Sequence, residues 1–458
     1  MKVATLTPEI DVQALRVGMF VHLDVGWMSH PFPLSSFRIT TSAQVATIRS
    51  LGLGRVRWSP QDSDLRLLDG GEPTPALPRP GRAAANDAHV DADADAGAGE
   101  ATNDGRGDQD TAPGALAAAE SPEKRSRAAL RRRLDAQREA QKVCERQYGE
   151  ASRLCRQTIE LAAGKPREAK AQAEALTRAL VDKMVDAREL CIRVLTEGAG
   201  DKASMHAMNV GIISLLMGRC FGFSTEEMQD LGTGAMLHDI GKCDLPQRLR
   251  YREDNFSPSE VRFYQEHVEL GLVQARRMGL SAGATAVIAQ HHEHADGTGF
   301  PGRLNSDRMT AGARIVALVN RYDNLCNPRL PARALTPHES LSLLFAQGRS
   351  KFDTSILGAF IKMMGVYPPG STVQLTDDRY ATVVAANSSR PLKPSVLVHD
   401  HGVARDEALV LDLETAIGLG IRRSIKPQQL PPTALEFLAP SPRVAYFFEP
   451  VVALEEQA

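Results

Sequence analysis

Residues 81–120 hold only two large apolar side chains, Val90 and Leu116, among Ala, Gly, Asp and Asn. So little apolar surface cannot offset the entropy of ordering a backbone. The stretch carries nine acidic and two basic residues, and self-repulsion favours an extended chain. A disordered acidic linker is therefore expected over 71–120, and any core must form on either side of it. The chain's 458 residues leave room for several cores.

Ahead of the linker, 1–70 mixes a helical pattern at Ser42–Leu51 with strand-like pieces at Gly18–Leu23 and Arg55–Trp58, as a small α+β module would. Behind it, 121–199 reads as a helical hairpin or coiled region. Ser121 and Pro122 suit a helix start, Gly164 and Pro166 interrupt the run, and Leu176, Leu180 and Met184 recur at four-residue spacing. These helices are expected to fold back on each other or to pair as a homodimer. Residues 131–133, three arginines, read as a solvated helix face. Residues 200–365 keep a helical period between Gly and Pro breaks, and 366–458 change to short alternating runs of a small β-rich region. The fold class expected is mainly α.

Fifty-four basic against 56 acidic residues leave a net charge of -2, which argues against DNA binding by bulk electrostatics. No run of 18 uncharged apolar residues is present and Glu9 interrupts the start, so no membrane insertion and a cytoplasmic location are expected. Six scattered cysteines without a CxxC pair read as reduced thiols.

Histidine is then the soft ligand that remains. Six of the twelve histidines fall between 206 and 294, in the helical region: His206, His238, His267, His291, His292 and His294. Two strings add carboxylates, His238-Asp239 and His291-His292-Glu293. Imidazole with carboxylate is the donor set of zinc, manganese or non-haem iron. His206, His238, His267 and His291 are 32, 29 and 24 residues apart, about one helix and its loop each, so each helix can supply one ligand. Neighbours on a helix point about 100° apart. The 291/292 pair therefore needs a helix end, which Asp296–Pro301 supplies. His294, His338, His399 and His401 lack such company and read as surface or structural residues.

The strings LHDIGK at 237–242 and HHEHADGTGFP at 291–301, with His206, the His267–Gly271 segment, Arg314-Ile315 and Tyr322-Asp323, resemble the HD-GYP family over roughly 200–330. The block LRVGMFVHLD and HPFPLSSFRIT resembles the uncharacterised module often fused ahead of it. The resemblance implies an HD-type helical bundle and a phosphodiesterase that opens cyclic di-GMP to pGpG and in some members GMP. It implies two divalent ions, iron or manganese, and a bridging hydroxide. His206, His238 and Asp239 would hold one ion, Asp239 would bridge, and His267, His291 and His292 would hold the second. Asp239 and Lys242 take catalytic roles, and Lys242, Gly299, Phe300, Pro301, Arg303 and Arg329 lie on the substrate side.

Three departures stand out. Asn320 and Asp323 occupy positions where the family has two aspartates; an amide is a poorer ligand than a carboxylate, and Asp323 at i+3 would substitute for it. Lys202 replaces the glutamate of trinuclear members, and its ammonium sets two metals as the ceiling. Phe300 keeps an aromatic ring without the tyrosine hydroxyl, and Arg303 and Ser306 stand where glycines are common. These favour a second reading: a degenerate regulator that binds cyclic di-GMP or a GGDEF-domain partner without turnover. The HD motif also serves other phosphate esters.

Overall fold

The structure, a computed structural model, describes residues 8–23, 36–64, 122–185, 189–195, 201–251, 255–348, 350–387 and 390–450. The linker expected at 71–120 lies outside them. Ahead of it, β1 (Glu9–Asp11), β2 (Phe20–His22), β3 (Ser36–Arg38) and β4 (Arg55–Ser59) form an antiparallel sheet in the order β1-β4-β2-β3. Helix α1 (Ser42–Ser50) starts at a capping box in which Thr41 accepts from the Gln44 amide. Its Val45 and Ile48 close a small core with Val12, Val21, Ile39 and Val56.

Beyond the linker, α2 (Pro122–Gly164) and α3 (Pro166–Val185) are separated by Lys165 alone. Proline is tolerated at Pro166 because its missing N–H falls in the first turn, where it would have no helical partner. The two helices pack on each other. The apolar stripe of this pair serves the chain's own core: Tyr148, Ala151 and Cys155 of α2 and Leu176, Leu180 and Met184 of α3 join one cluster with Met205 and Met208.

Those methionines belong to α4 (Lys202–Cys220), which is buried on nearly every face and therefore sits at the centre. Helices α5 (Thr225–Leu237) and α9 (Ala311–Cys326) pack against it, and α8 (Ala282–Gln290) packs on α5. The remaining helices of this layer are α6 (Pro258–Gln265), α7 (His267–Met278), α10 (Pro337–Gln347) and α11 (Thr354–Met364). Fully buried Tyr322 and Phe360 meet edge to face between α9 and α11. Burial of each such side chain contributes roughly 1.5–3 kcal/mol.

The β-rich region contains β6 (Thr372–Leu375), β7 (Tyr380–Asn387), β8 (Ser395–Val398), β9 (Val410–Asp412), β10 (Ile421–Ser424) and β11 (Tyr446–Pro450), with the short helix α12 (Pro432–Leu438). One strand comes from elsewhere. β5 (Leu190–Val194) lies in the stretch expected to be helical, yet it inserts between β7 and β11 in the order β10-β6-β7-β5-β11, with β8 and then β9 branching from β7. The segment LCIRV buries Leu190 and Ile192 on one face, the period of a strand. Tyr446, Phe447 and Phe448 of β11 are buried in the same core as α4 and α9. The helical and β-rich regions are thus continuous in packing.

Candidate metal centre

Helix ends position three of the histidines. The last carbonyls of an α-helix have no intrahelical partner. His238, immediately after α5, has its Nδ1 2.7 Å from the Ala235 carbonyl oxygen. His267, after α6, stands 2.5 Å from that of Tyr264, and His291, after α8, 2.8 Å from that of Ile288. A carbonyl only accepts, so each ring donates from Nδ1 and, when neutral, presents a bare Nε2. His206, one turn into α4, places its Nδ1 2.5 Å from Asp323 Oδ2, and its Nε2 is left for the centre as well.

These bare nitrogens face one another. His206 Nε2 and His238 Nε2 are 3.1 Å apart, and His267 Nε2 and His291 Nε2 are 3.3 Å apart. Asp239 stands between the pairs. Its Oδ2 is 3.6 Å from His206 Nε2 and 3.3 Å from His238 Nε2, while its Oδ1 is 3.5 Å from His267 Nε2 and 3.6 Å from His291 Nε2. His292 completes the second set: ligand atoms of Asp239, His267, His291 and His292 lie within 4.8 Å of one another, as do those of His206, His238 and Asp239. Asp239 Oδ1 and His292 Nε2 are buried without a hydrogen-bond partner. Two acceptor nitrogens at hydrogen-bond distance without a proton between them, together with orphaned acceptors, are what a cation would satisfy. The donor set therefore fits two divalent ions sharing Asp239.

The electrostatics agree. Burial pushes His267 down to about 3 and also lowers His291 and His292, which keeps the rings neutral as ligands must be. Burial alone would raise Asp239, but the Lys242 ammonium and His238 outweigh it and hold the carboxylate well below its usual range. Lys242 Nζ lies 2.5 Å from Asp239 Oδ2 and 5.3 Å from the centre of the Tyr264 ring. Its place in the structure is thus on the carboxylate that the two ligand groups share.

Gly241 makes this convergence feasible. It lies in the 3₁₀ turn Ile240–Asp244 that follows Asp239, and a Cβ there would sit 2.0 Å from the His267 carbonyl oxygen and 2.3 Å from the Gly271 nitrogen. Only a residue without a side chain lets the turn lie against the start of α7.

Other expected residues sit around this centre in different ways. Asp323 stands behind His206 and does not face the Asp239 oxygens: Oδ2 holds His206, and Oδ1 accepts from Asn209 at 2.7 Å and Asn327 at 2.9 Å. Both oxygens are engaged, so the substitution for Asn320 expected of it is not what the geometry displays. Asn320 is 3% exposed and its amide oxygen accepts from Asn324 at 2.6 Å. Phe300 stacks on His292, with centroids 4.5 Å apart and planes 21° from parallel. Gly299 is a packing requirement, since a Cβ would lie 2.4 Å from Glu293 Cα. Pro301, Arg303 and Arg329 are exposed, and Arg303 holds a positive φ of 50°. Ser306 donates to Asp353 at 3.3 Å. Lys202 rests over the Tyr251 ring, and burial, with Arg443, Lys242 and Arg329 adding positive charge, pushes it down to about 8.

Four residues escaped the sequence reading in their roles. Glu293, 1% exposed, accepts from the Gly302 and Leu304 amides at 2.5 and 2.9 Å and so clamps the lip that carries Phe300. The sequence reading noted it only as a carboxylate in the string with the paired histidines. Tyr264 supports both His267 and Lys242. Asn209 and Asn327 grip Asp323; Asn209 lies one turn beyond His206, the single hint available.

Comparison with known proteins adds to this picture. Residues 168–356 match the family described as HD domain, and 8–173 match a domain of unknown function, DUF3391. A cyclic di-GMP phosphodiesterase of Pseudomonas aeruginosa is 27% identical over 197 residues, 42% of this chain and 47% of the relative. A cyclic di-GMP phosphodiesterase of Borreliella burgdorferi is 22% identical over 192 residues, 42% of this chain and 51% of the relative. A 3'3'-cGAMP-specific phosphodiesterase of Vibrio cholerae is 25% identical over 190 residues, 40% of this chain and 36% of the relative. The chain spans about half the length, or less, of these curated relatives.

Proposed function

We propose that this chain, which carries an HD domain of the HD-GYP family, is a metal-dependent phosphodiesterase that hydrolyses cyclic di-GMP to pGpG. The observation that carries the reading is the pair of ligand sets sharing Asp239. His206, His238 and Asp239 would hold one ion and Asp239, His267, His291 and His292 the other; the donor chemistry suits zinc, manganese or iron, and the resemblance to the HD-GYP family narrows this to iron or manganese. Such a pair supplies Lewis acidity and neutralises charge that develops on phosphate oxygens.

The chain's own residues contribute the rest. Asp239 fixes the spacing of the two sets, and Lys242 adds a positive charge beside it for the phosphate. The Phe300 ring covers His292 and shuts water out from that side, on a lip whose backbone Glu293 holds. Lys202, Arg329 and Arg443 extend a basic surround suited to a dinucleotide that carries two phosphates.

The test is metal analysis of anaerobically purified protein with an assay for pGpG, run on 3'3'-cGAMP in parallel because that is the printed specificity of one relative. Two ions per chain and pGpG release are expected. Two bound ions without hydrolysis of either dinucleotide would sink the enzyme reading and leave the regulator, with a cyclic dinucleotide or a GGDEF-domain partner bound. Asn320 is the observation that favours this alternative, since its neutral amide is already held by Asn324. Asn320→Asp, measured on the same preparations, is expected to raise metal content or turnover by adding an anionic donor. If wild type holds two ions and neither quantity moves, Asn320 does not weaken the site.

A further inference from the structure

Two buried amides join the back of the first ligand set to a strand far away in sequence. Asn209 is 0% and Asn327 3% exposed, and Asp323 between them is 0% exposed. Asn209 Nδ2 donates to Asp323 Oδ1 at 2.7 Å and to the Val444 carbonyl at 2.8 Å, while its Oδ1 accepts from the Tyr446 amide at 3.0 Å. Asn327 Nδ2 donates to Asp323 Oδ1 and to the Val444 carbonyl, both at 2.9 Å, and its Oδ1 accepts from the Val444 amide at 2.8 Å. Each amide thus spends one N–H on the carboxylate that orients His206 and every other polar atom on the backbone of 444–446. The Tyr446 hydroxyl lies 3.0 Å from that of Tyr322, the neighbour of Asp323, which fixes the same junction a second time.

We infer that the segment Val444–Tyr446 is a positioning element of the metal centre, acting through Asn209 and Asn327 on Asp323 and through Asp323 on His206. The physical reason is that a buried carboxylate takes the direction of its hydrogen bonds. Asp323 Oδ1 is held by two donors whose own orientation depends on the Val444 carbonyl. Without that carbonyl the amides have no reason to keep both hydrogens where they are, and the carboxylate that sets the ring plane and tautomer of His206 loses its restraint. Asn209 and Asn327 touch no reacting group; they are positioning residues. The inference rests on the two-metal reading above and says which of the two ions depends on the β-rich region.

The test is a set of manganese titrations of the full chain. Asn327→Ala is expected to weaken manganese binding by about 10–100-fold at one site, the effect typical of losing an outer partner of a metal-bound histidine. In the background His292→Ala, which retains the His206 set, the loss should persist. In the background His206→Ala it should vanish, because no first site remains to be positioned. Asn209→Ala reads the same link from the other amide, and Asn327→Ser keeps a donor should the alanine variants fail to fold. Thermal melts of each protein accompany the titrations. Equal weakening in both backgrounds, or none in either, overturns the inference, since a merely structural amide would loosen both sites alike. If instead wild type does not bind two manganese ions, or His206→Ala and His292→Ala leave its stoichiometry unchanged, the two-metal reading itself fails.

Discussion

Asp239→Ala is expected to abolish hydrolysis, with a fall of at least about a thousand-fold, roughly 4 kcal/mol in barrier height. Among the described residues, no other side chain belongs to both ligand sets. Its loss removes an anionic donor from each and leaves two dications, if both were to bind, without the carboxylate that offsets their repulsion. It also strips Lys242 of the partner that lies 2.5 Å away. Asp239→Asn is the control for that second effect, since an amide oxygen still accepts from the ammonium while no longer carrying charge. Metal content, pGpG release and a melting curve should be measured together on both variants. Retained turnover in metal-loaded Asp239→Ala would refute the shared-ligand arrangement, whereas loss of folding in the alanine variant alone would point to the Lys242 pair.

The second large effect is expected at a residue that touches no metal. Gly241→Ala brings a methyl group to 2.0 Å from the His267 carbonyl oxygen, a contact with backbone that no side-chain rotation can relieve. Overpacking of this kind costs about 3 kcal/mol, the upper end of the usual range, and lowers the melting temperature by roughly 6–12 °C in a domain of this size. The turn must also move away from α7, carrying Asp239 away from His267. A misplacement of about 1 Å costs roughly a hundred-fold in rate. Gly149→Ala is the matched control. It adds the same methyl group in the middle of α2, where nothing lies within 4 Å, and alanine is the better helix former, so stability should rise by up to about 1 kcal/mol. Equal melting of the two variants would show that the close approach is not what holds the turn.

The convergence of the histidines was legible because chemistry and spacing coincide in them: imidazoles one helix apart, with a carboxylate in the string. The need for a helix end at the 291/292 pair was legible too, and His238 and His267 turn out to use helix ends in the same way. Asp323 was not legible. Spacing of i+3 puts a carboxylate on the face of Asn320 but does not say whether that carboxylate looks at Asp239 or at the back of His206. The clamp role of Glu293 was not legible either, since an acid beside two histidines does not announce which loop amides it will accept from. Asn209 was beyond reach, as its backbone partner lies 237 residues away. β5 escaped because five residues between two helices carry too little pattern to announce a strand whose neighbours come from elsewhere.

That borrowed strand has a consequence for the order in which the protein is made. On β5, Arg193 pairs with Glu449 of β11, 256 residues further along. At roughly 5–20 residues per second, a ribosome takes tens of seconds to cover that interval. The six clustered histidines leave the ribosome before either neighbour of β5 has been made, since β7 begins at Tyr380 and β11 at Tyr446, and the face of α4 that will receive Phe447 and Phe448 is open to solvent until then. Pairing of such distant segments is intrinsically slow. The nascent chain therefore holds the clustered histidines before it holds the segment that braces Asp323 behind His206.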